Sequence, residues 1–233
     1  MKVAVFGLEG FPLGKKSFVD EKLESLAELF KSKKVTPLQI EFVPIEGIKD
    51  AEVVLSREDK KADLILTDLE YVQDRLTKEI PPEEKSLFAK ANVLLEKENF
   101  LYKHFSVGEL KLLKGFPLFT TLPIYLLKGD SDFDLSAEAL KEIYYASGRI
   151  VFFTAGEKEA RMWSLHKGEN ALEAAGCIHS DIQQGFVRAE VVSVEDILAA
   201  GHYNQVKNEG KVRLEGKEYI VQDGDYIIFR ANK

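Results

Sequence analysis

Cysteine is almost missing from this chain: Cys177 stands alone among 233 residues. One thiol closes no internal disulfide and builds no thiolate metal site, so the sequence predicts a reducing compartment. After Ala174-Ala175-Gly176 it reads as a small buried side chain. A basic excess is lacking too. The formal net charge of −7 excludes broad, salt-driven binding along phosphates, and no DNA partner is expected, although a local basic patch stays open. Nor does any window reach the ~18 apolar residues of a membrane span. The opening MKVAVFGLEG places one Lys before a short apolar run, which falls short of a signal peptide, and the expected location is cytoplasmic, away from membranes. His104, His166, His179 and His202 show no HxxxH or HExxH spacing, and no Gly-x-Ser-x-Gly elbow occurs. No metal site and no catalytic residue is predicted. His179 two residues before Asp181 reads either as an acid–base pair or as a turn capped by Ser180 or Asp181.

What is present suffices for two modest domains. Apolar residues make up 45% and charged ones 30%, an ordinary balance with material for a core. Lys2 to Phe6 reads as a buried strand that delivers the chain into a loop from Gly7 to Ser17. Asp20 is a plausible N-cap for a helix whose Leu23, Leu26, Ala27 and Phe30 share one face. Pro37 then breaks the chain before the alternating strand LQIEFVPIEG, which cannot run on centrally through Pro44. Ala62 to Asp74 is readable as strand or helix. Leu87, Ala91, Leu94 and Leu95 form a helical stripe, ELKLLKGF a short helix, LFTTLPIYLLKG strand material and SAEALKEIYYAS a further helix. Alternating strands and helices predict a mixed α/β domain over residues 1–148.

The pattern becomes strand-dominated over residues 149–233. RIVFFTAG and ARMWSLHKG are β-branched and aromatic runs, NALEAAGCI a helix, FVRAEVVSV a strand and VEDILAAG a short helix closed by Gly201. Turns at Glu215-Gly216 and Asp223-Gly224 divide the remaining strands.

The phrases FFTAGEKEARMWSLHKGENALEAAGCIHSDIQQGFVRAEV and EGKVRLEGKEYIVQDGDYIIFR resemble, in order, the closing TGS segment of the Obg-like ATPase (YchF) family. EKLESLAELFKSKKVTPLQIEFVPIEGI is similar to that family's approach to its magnesium motif, DLEYVQDRL to the start of its coiled-coil helices, and ELKLLKGFPLFTTLPIYLL to its base-recognition strand. The resemblance implies an abbreviated P-loop-like α/β domain with helical elements, followed by a ubiquitin-like β-grasp (TGS) domain that contacts the translation machinery. The implied partner is the ribosome, RNA or a translation-associated protein.

The nucleotide motifs are altered. A phosphate loop GxxxxGK[ST] works because backbone N–H groups cradle phosphate, Lys neutralises it and the hydroxyl binds magnesium. Here Gly7, Gly14, Lys15, Lys16 and Ser17 supply the ingredients at another spacing, with Glu9 adding negative charge and Pro12 removing a donor. Pro44 occupies the Asp position of the family's DxxG motif while Gly47 remains, and the NxxE position falls near Gly129 to Asp132 without its Asn. These departures predict a vestigial site with no nucleotide cofactor, and hence a non-enzymatic adaptor. The alternative is a residual ATP- or GTP-binding protein, with magnesium, that turns over slowly.

In the last module, 11 Lys and Arg face 13 Asp and Glu, which allows only a patch. Period-two alternation predicts Lys211 and Arg213 on one strand face, with Lys217 returning near them and Arg188 adding to the same surface. Such a strip suits a phosphate backbone or an acidic protein. The competing reading is a solvated face balanced by Glu190, Glu215 and Glu218.

Overall fold

The computed structural model describes residues 1–127 and 135–232. They fall into two compact units, Met1–Lys16 with Ile40–Ser147 and Ser17–Gln39 with Gly148–Lys233.

The first unit is built on a five-stranded sheet. The apolar run at the start forms β1 (Lys2–Val5), which lies between β4 (Leu38–Pro44) and β5 (Val53–Arg57) and is parallel to both. β2 (Gly14–Phe18) and β6 (Ile124–Leu127) are the two edges, giving the order β2-β4-β1-β5-β6. Pro44 is tolerated because it is the last residue of its strand, opposite Val5. Val3, Ala4, Val53, Val54 and Leu55 are fully buried, as strands covered on both faces require.

Ala62 to Asp74 resolves as helix, within α2 (Lys61–Leu76). Its Leu64, Ile65, Asp68 and Val72 recur at helical spacing and are buried, while Leu66 is left exposed, so the apolar run ADLILTD was ambiguous only until its faces separated. α3 (Pro82–Glu96) begins on a proline at its first position and packs antiparallel-hairpin fashion on α2 through Phe88, Ala91 and Leu95. α4 (Val107–Leu113) starts with a reciprocal capping box between Ser106 and Glu109. α5 (Ala137–Ala146) completes this unit.

The second unit carries a six-stranded mixed sheet. Hairpin β7 (Arg149–Ala155) and β8 (Ala160–His166) is followed by α6 (Ala171–Ile178), the short α7 (Ser180–Gln184), β9 (Phe186–Ser193), α8 (Val194–Ala200), α9 (Tyr203–Asn208), β10 (Arg213–Glu215) and β11 (Asp225–Ala231). β11 runs parallel to β7 and antiparallel to β9. With α6 laid across one face, the order β10-β9-β11-β7-β8 is the expected β-grasp. The mixed α/β architecture with a distinct β-rich unit thus agrees with the fold class read from the sequence.

Two elements from early in the chain also belong here. β3 (Val35–Thr36) adds to β8 as a parallel edge strand, and α1 (Glu21–Phe30) packs on β7, β8 and α8. Side chains of β7 and β11 assign the faces. Ile150, Phe152 and Ile227 cluster with Ala171 and Ala174 of α6, whereas Tyr226, adjacent to Ile227 and so on the other face, stacks on Phe30 of α1 with ring centres 5.5 Å apart. α1 therefore covers the face opposite α6, burying Leu23, Leu26 and Ala27. Each of the two leucines so buried contributes roughly 1.5–3 kcal/mol.

Candidate functional site

The strand ends of the first unit form the candidate site. In open parallel sheets ligands sit beyond the carboxyl ends of the strands, where the order reverses. Here that place is the end of β1, flanked by β4 and β5. Gly7 follows β1 with φ +65°, a left-handed conformation suited to glycine, and a Cβ there would lie 3.1 Å from Cγ of Lys60. The loop after β1 thus touches the turn after β5. Within that turn Arg57 donates from Nε and Nη2 to the two carboxylate oxygens of Asp59, both at 3.1 Å, and Lys60 Nζ donates to Asp63 at 3.0 Å.

The other residues expected to form a phosphate loop are placed elsewhere. The sequence pointed to a loop through Ser17, but Gly14, Lys15, Lys16 and Ser17 belong to edge strand β2, with Phe18 buried at its end. Successive strand side chains point to opposite faces, so Lys15 and Lys16 cannot converge on one phosphate. Ser17 Oγ accepts a hydrogen bond from Gln39 Nε2 at 2.8 Å. β2 leads to α1 through Asp20, whose carboxylate caps Lys22 N–H as expected. These residues do not fit the phosphates of a nucleotide in the manner of a P-loop. Gly47 lies in the 3-10 turn after Pro44, and Gly129 to Asp132 lie outside the described residues. Among the described residues no group of His, Cys, Asp and Glu could hold a metal ion.

In the second unit the four basic residues do not share one surface. Register places Arg213 opposite Val191 and Leu214 opposite Glu190, so Arg213 shares the α6 face while Arg188, two residues from Glu190, lies on the other. Lys211 precedes β10 and pairs with Asp196 and Glu209, each at 3.2 Å. Arg213 bonds Tyr219 and reaches Asp225 and Glu215. Arg188 and Lys217 are exposed and make no ion pair among the described residues. Glu190, assigned to a solvated balancing face, is instead buried. It accepts from Tyr203 Oη at 2.6 Å and from Arg230 Nε at 2.9 Å, and Arg230 holds its carboxyl below the ordinary range.

His179 caps α7 itself, its Nδ1 accepting from Asp181 N–H, where Ser180 or Asp181 had been expected to cap. His202 does the same for α9. Each of these histidines stands between the end of one helix and the start of the next, where apolar periodicity gives no signal for this use of imidazole. Cys177, expected to be buried, is exposed at the residue level; its Sγ lies 3.7 Å from the Ser164 carbonyl, and partial burial pushes the thiol up. No helix among the described residues is long and apolar enough to cross a membrane.

Residues 150–232 match the YchF-GTPase_C family model, described as a protein of unknown function, DUF933. The chain is 55% identical over 95 residues to the ribosome-binding ATPase YchF of Bacillus subtilis, covering 41% of this chain and 26% of that protein. It is 51% identical over 81 residues to the human Obg-like ATPase 1, covering 35% and 20%. With the ribosome-binding ATPase YchF of Buchnera aphidicola it shares 33% over 157 residues, 61% of this chain and 43% of that one. The chain thus matches less than half the length of these relatives. A solved structure, the YchF GTPase of Schizosaccharomyces pombe, matches in fold with a TM-score of 0.75 at 18% identity, over 99% of this chain and 97% of that one. The expectation of a non-enzyme is overturned here: the relatives are named as ATPases, and altered motifs alone had carried that expectation. Residues 150–232 are thus similar to the matching part of the YchF and Obg-like ATPases, and the fold is shared with a YchF GTPase.

Proposed function

We propose that this chain is a translation-associated, nucleotide-binding protein of the ATPase type that docks on the ribosome through its β-grasp unit. The observation that carries this reading is the 55% identity over 95 residues to a protein named as a ribosome-binding ATPase, beside the family-model match over residues 150–232. The first unit supports it by offering a parallel sheet whose central strand opens between two loops, the arrangement that accommodates nucleotides in open α/β folds. ATP or GTP with magnesium is the proposed ligand, and turnover is slow because Pro44 supplies no carboxylate to order a metal's water shell. On the ribosome the exposed, unpaired Arg188 and Lys217 supply charge directly, whereas Lys211 and Arg213 must first leave their acidic partners.

The test combines calorimetry with ATP and GTP in magnesium with co-sedimentation on ribosomal subunits over a salt series. Micromolar nucleotide binding, measurable phosphate release and co-sedimentation that weakens as salt rises are expected. Absence of both nucleotide binding and ribosome association would sink the proposal.

A further inference from the structure

Beside the end of β5 the first unit gathers positive charge on one aromatic ring. Lys61, the first residue of α2, and Lys103, in the 3-10 turn Leu101–Lys103, each hold Nζ 5.7 Å from the centre of the Phe100 ring. Lys103 also lies 5.6 Å from the Tyr102 ring, which stacks on Phe100 at 6.3 Å. Phe100 is 8% exposed, so both ammonium groups lie beside a largely covered ring.

The charge balance distinguishes this pair from its neighbours. Arg57 is neutralised by Asp59 and Lys60 by Asp63. Lys61 and Lys103 make no ion pair among the described residues. The attraction of the ring, about 0.5–1 kcal/mol at an exposed site, leaves both ammonium charges without a counter-ion among the described residues. An extended anion with several oxygens that reached both would supply that charge and gain two charge-assisted hydrogen bonds. The position is also the right one. Lys60, next to Lys61, packs its stem on Gly7, so Lys61 begins α2 beside the turn after β5 that touches the loop after β1.

We infer that Lys61 and Lys103 form the phosphate-binding site of this chain, taking the polyphosphate of a nucleoside triphosphate in place of the strand-bound Lys15 and Lys16. This rests on the nucleotide reading above and assigns its site. The test is calorimetry with Mg-ATP and with inorganic tripolyphosphate on the full chain, on the Lys61→Met, Lys103→Met double variant and on the Lys15→Ala, Lys16→Ala double variant. Methionine keeps an aliphatic stem over Phe100, and far-UV circular dichroism checks that the fold is intact. The lysine-to-methionine pair should weaken ATP and tripolyphosphate at least tenfold, and the alanine pair should bind as the parent does. In the unmodified protein, ATP should also shield Lys61 and Lys103 from amine acylation read by mass spectrometry, a measurement independent of any variant. If the parent binds ATP but the methionine variant binds equally and no shielding appears, the site is overturned while nucleotide binding stands. If the parent binds neither ATP nor GTP, both fall.

Discussion

Two buried carboxylates show how residue environment sets opposite responses to pH. Asp68, fully buried on α2, accepts from Phe119 N–H, Thr120 N–H and Thr120 Oγ1 at 2.8, 2.7 and 2.6 Å, tying the helix to the turn before β6. Burial nevertheless raises its pKa to about 6. The folded state then holds its proton longer than the unfolded chain does. Stability from this group is present below about pH 4, where an unfolded Asp titrates, and is lost as pH rises to about 6. Relative to a D68N variant, the parent should lose on the order of 2–3 kcal/mol between those limits, measured by urea unfolding followed by circular dichroism. A parallel pH dependence in both proteins would contradict this. At neutral pH Asp68→Ala should cost about 2–4 kcal/mol, because two buried donors and one part-buried donor lose their acceptor. Glu190 behaves oppositely. Arg230 and Tyr203 lower its pKa, so its contribution is present above the ordinary Glu value and is lost as pH falls. Unfolding of the second unit, read by Trp163, the only tryptophan, should therefore become easier in acid for the parent and less so for an E190Q variant.

At the scale of elements, α1 illustrates what periodicity shows and what it leaves open. Leu23, Leu26 and Ala27 marked the helix and its buried face in advance, and Asp20 marked its start. Nothing in that pattern named the surface it would meet, because an apolar face records that it is covered and not by what. The partner is visible only in long-range contacts. Ser32 Oγ donates to the Gly156 carbonyl, Ala160 N–H to the Lys34 carbonyl and Thr36 Oγ1 to Glu159. Leu26→Ala should accordingly lower the Trp163-reported unfolding midpoint of the second unit, at a cost of about 2–5 kcal/mol, although Leu26 is distant in sequence. An unchanged midpoint would mean that α1 adds little to that sheet. The lysine pair at Phe100 was illegible for a related reason. Lys61 and Lys103 occupy different elements with no shared motif, and only the packing of Phe100 brings them together. The Gly14–Ser17 segment misled in the other direction, since glycine and lysine near a strand end resemble a phosphate loop whether or not the backbone curls.

For the whole molecule, the chain passes from the first unit to the second at Lys16–Ser17, returns at Gln39–Ile40 and passes again at Ser147–Gly148. A fragment of residues 148–233 has the β-grasp strands but neither α1 nor β3. It should unfold at lower urea than the full chain, and a peptide of residues 17–39 added in trans should raise its midpoint. No response to the peptide would show that the β-grasp sheet completes itself. The same interleaving has a consequence in time. During synthesis the apolar face of α1 emerges before residues 40–147 and waits for β7 and β8. At ~5–20 residues per second that wait is roughly 7 to 27 s, far longer than helix formation takes. For those seconds Leu23, Leu26 and Ala27 form a sticky stripe on an unfinished chain, so the nascent protein depends on shielding that the finished one no longer needs.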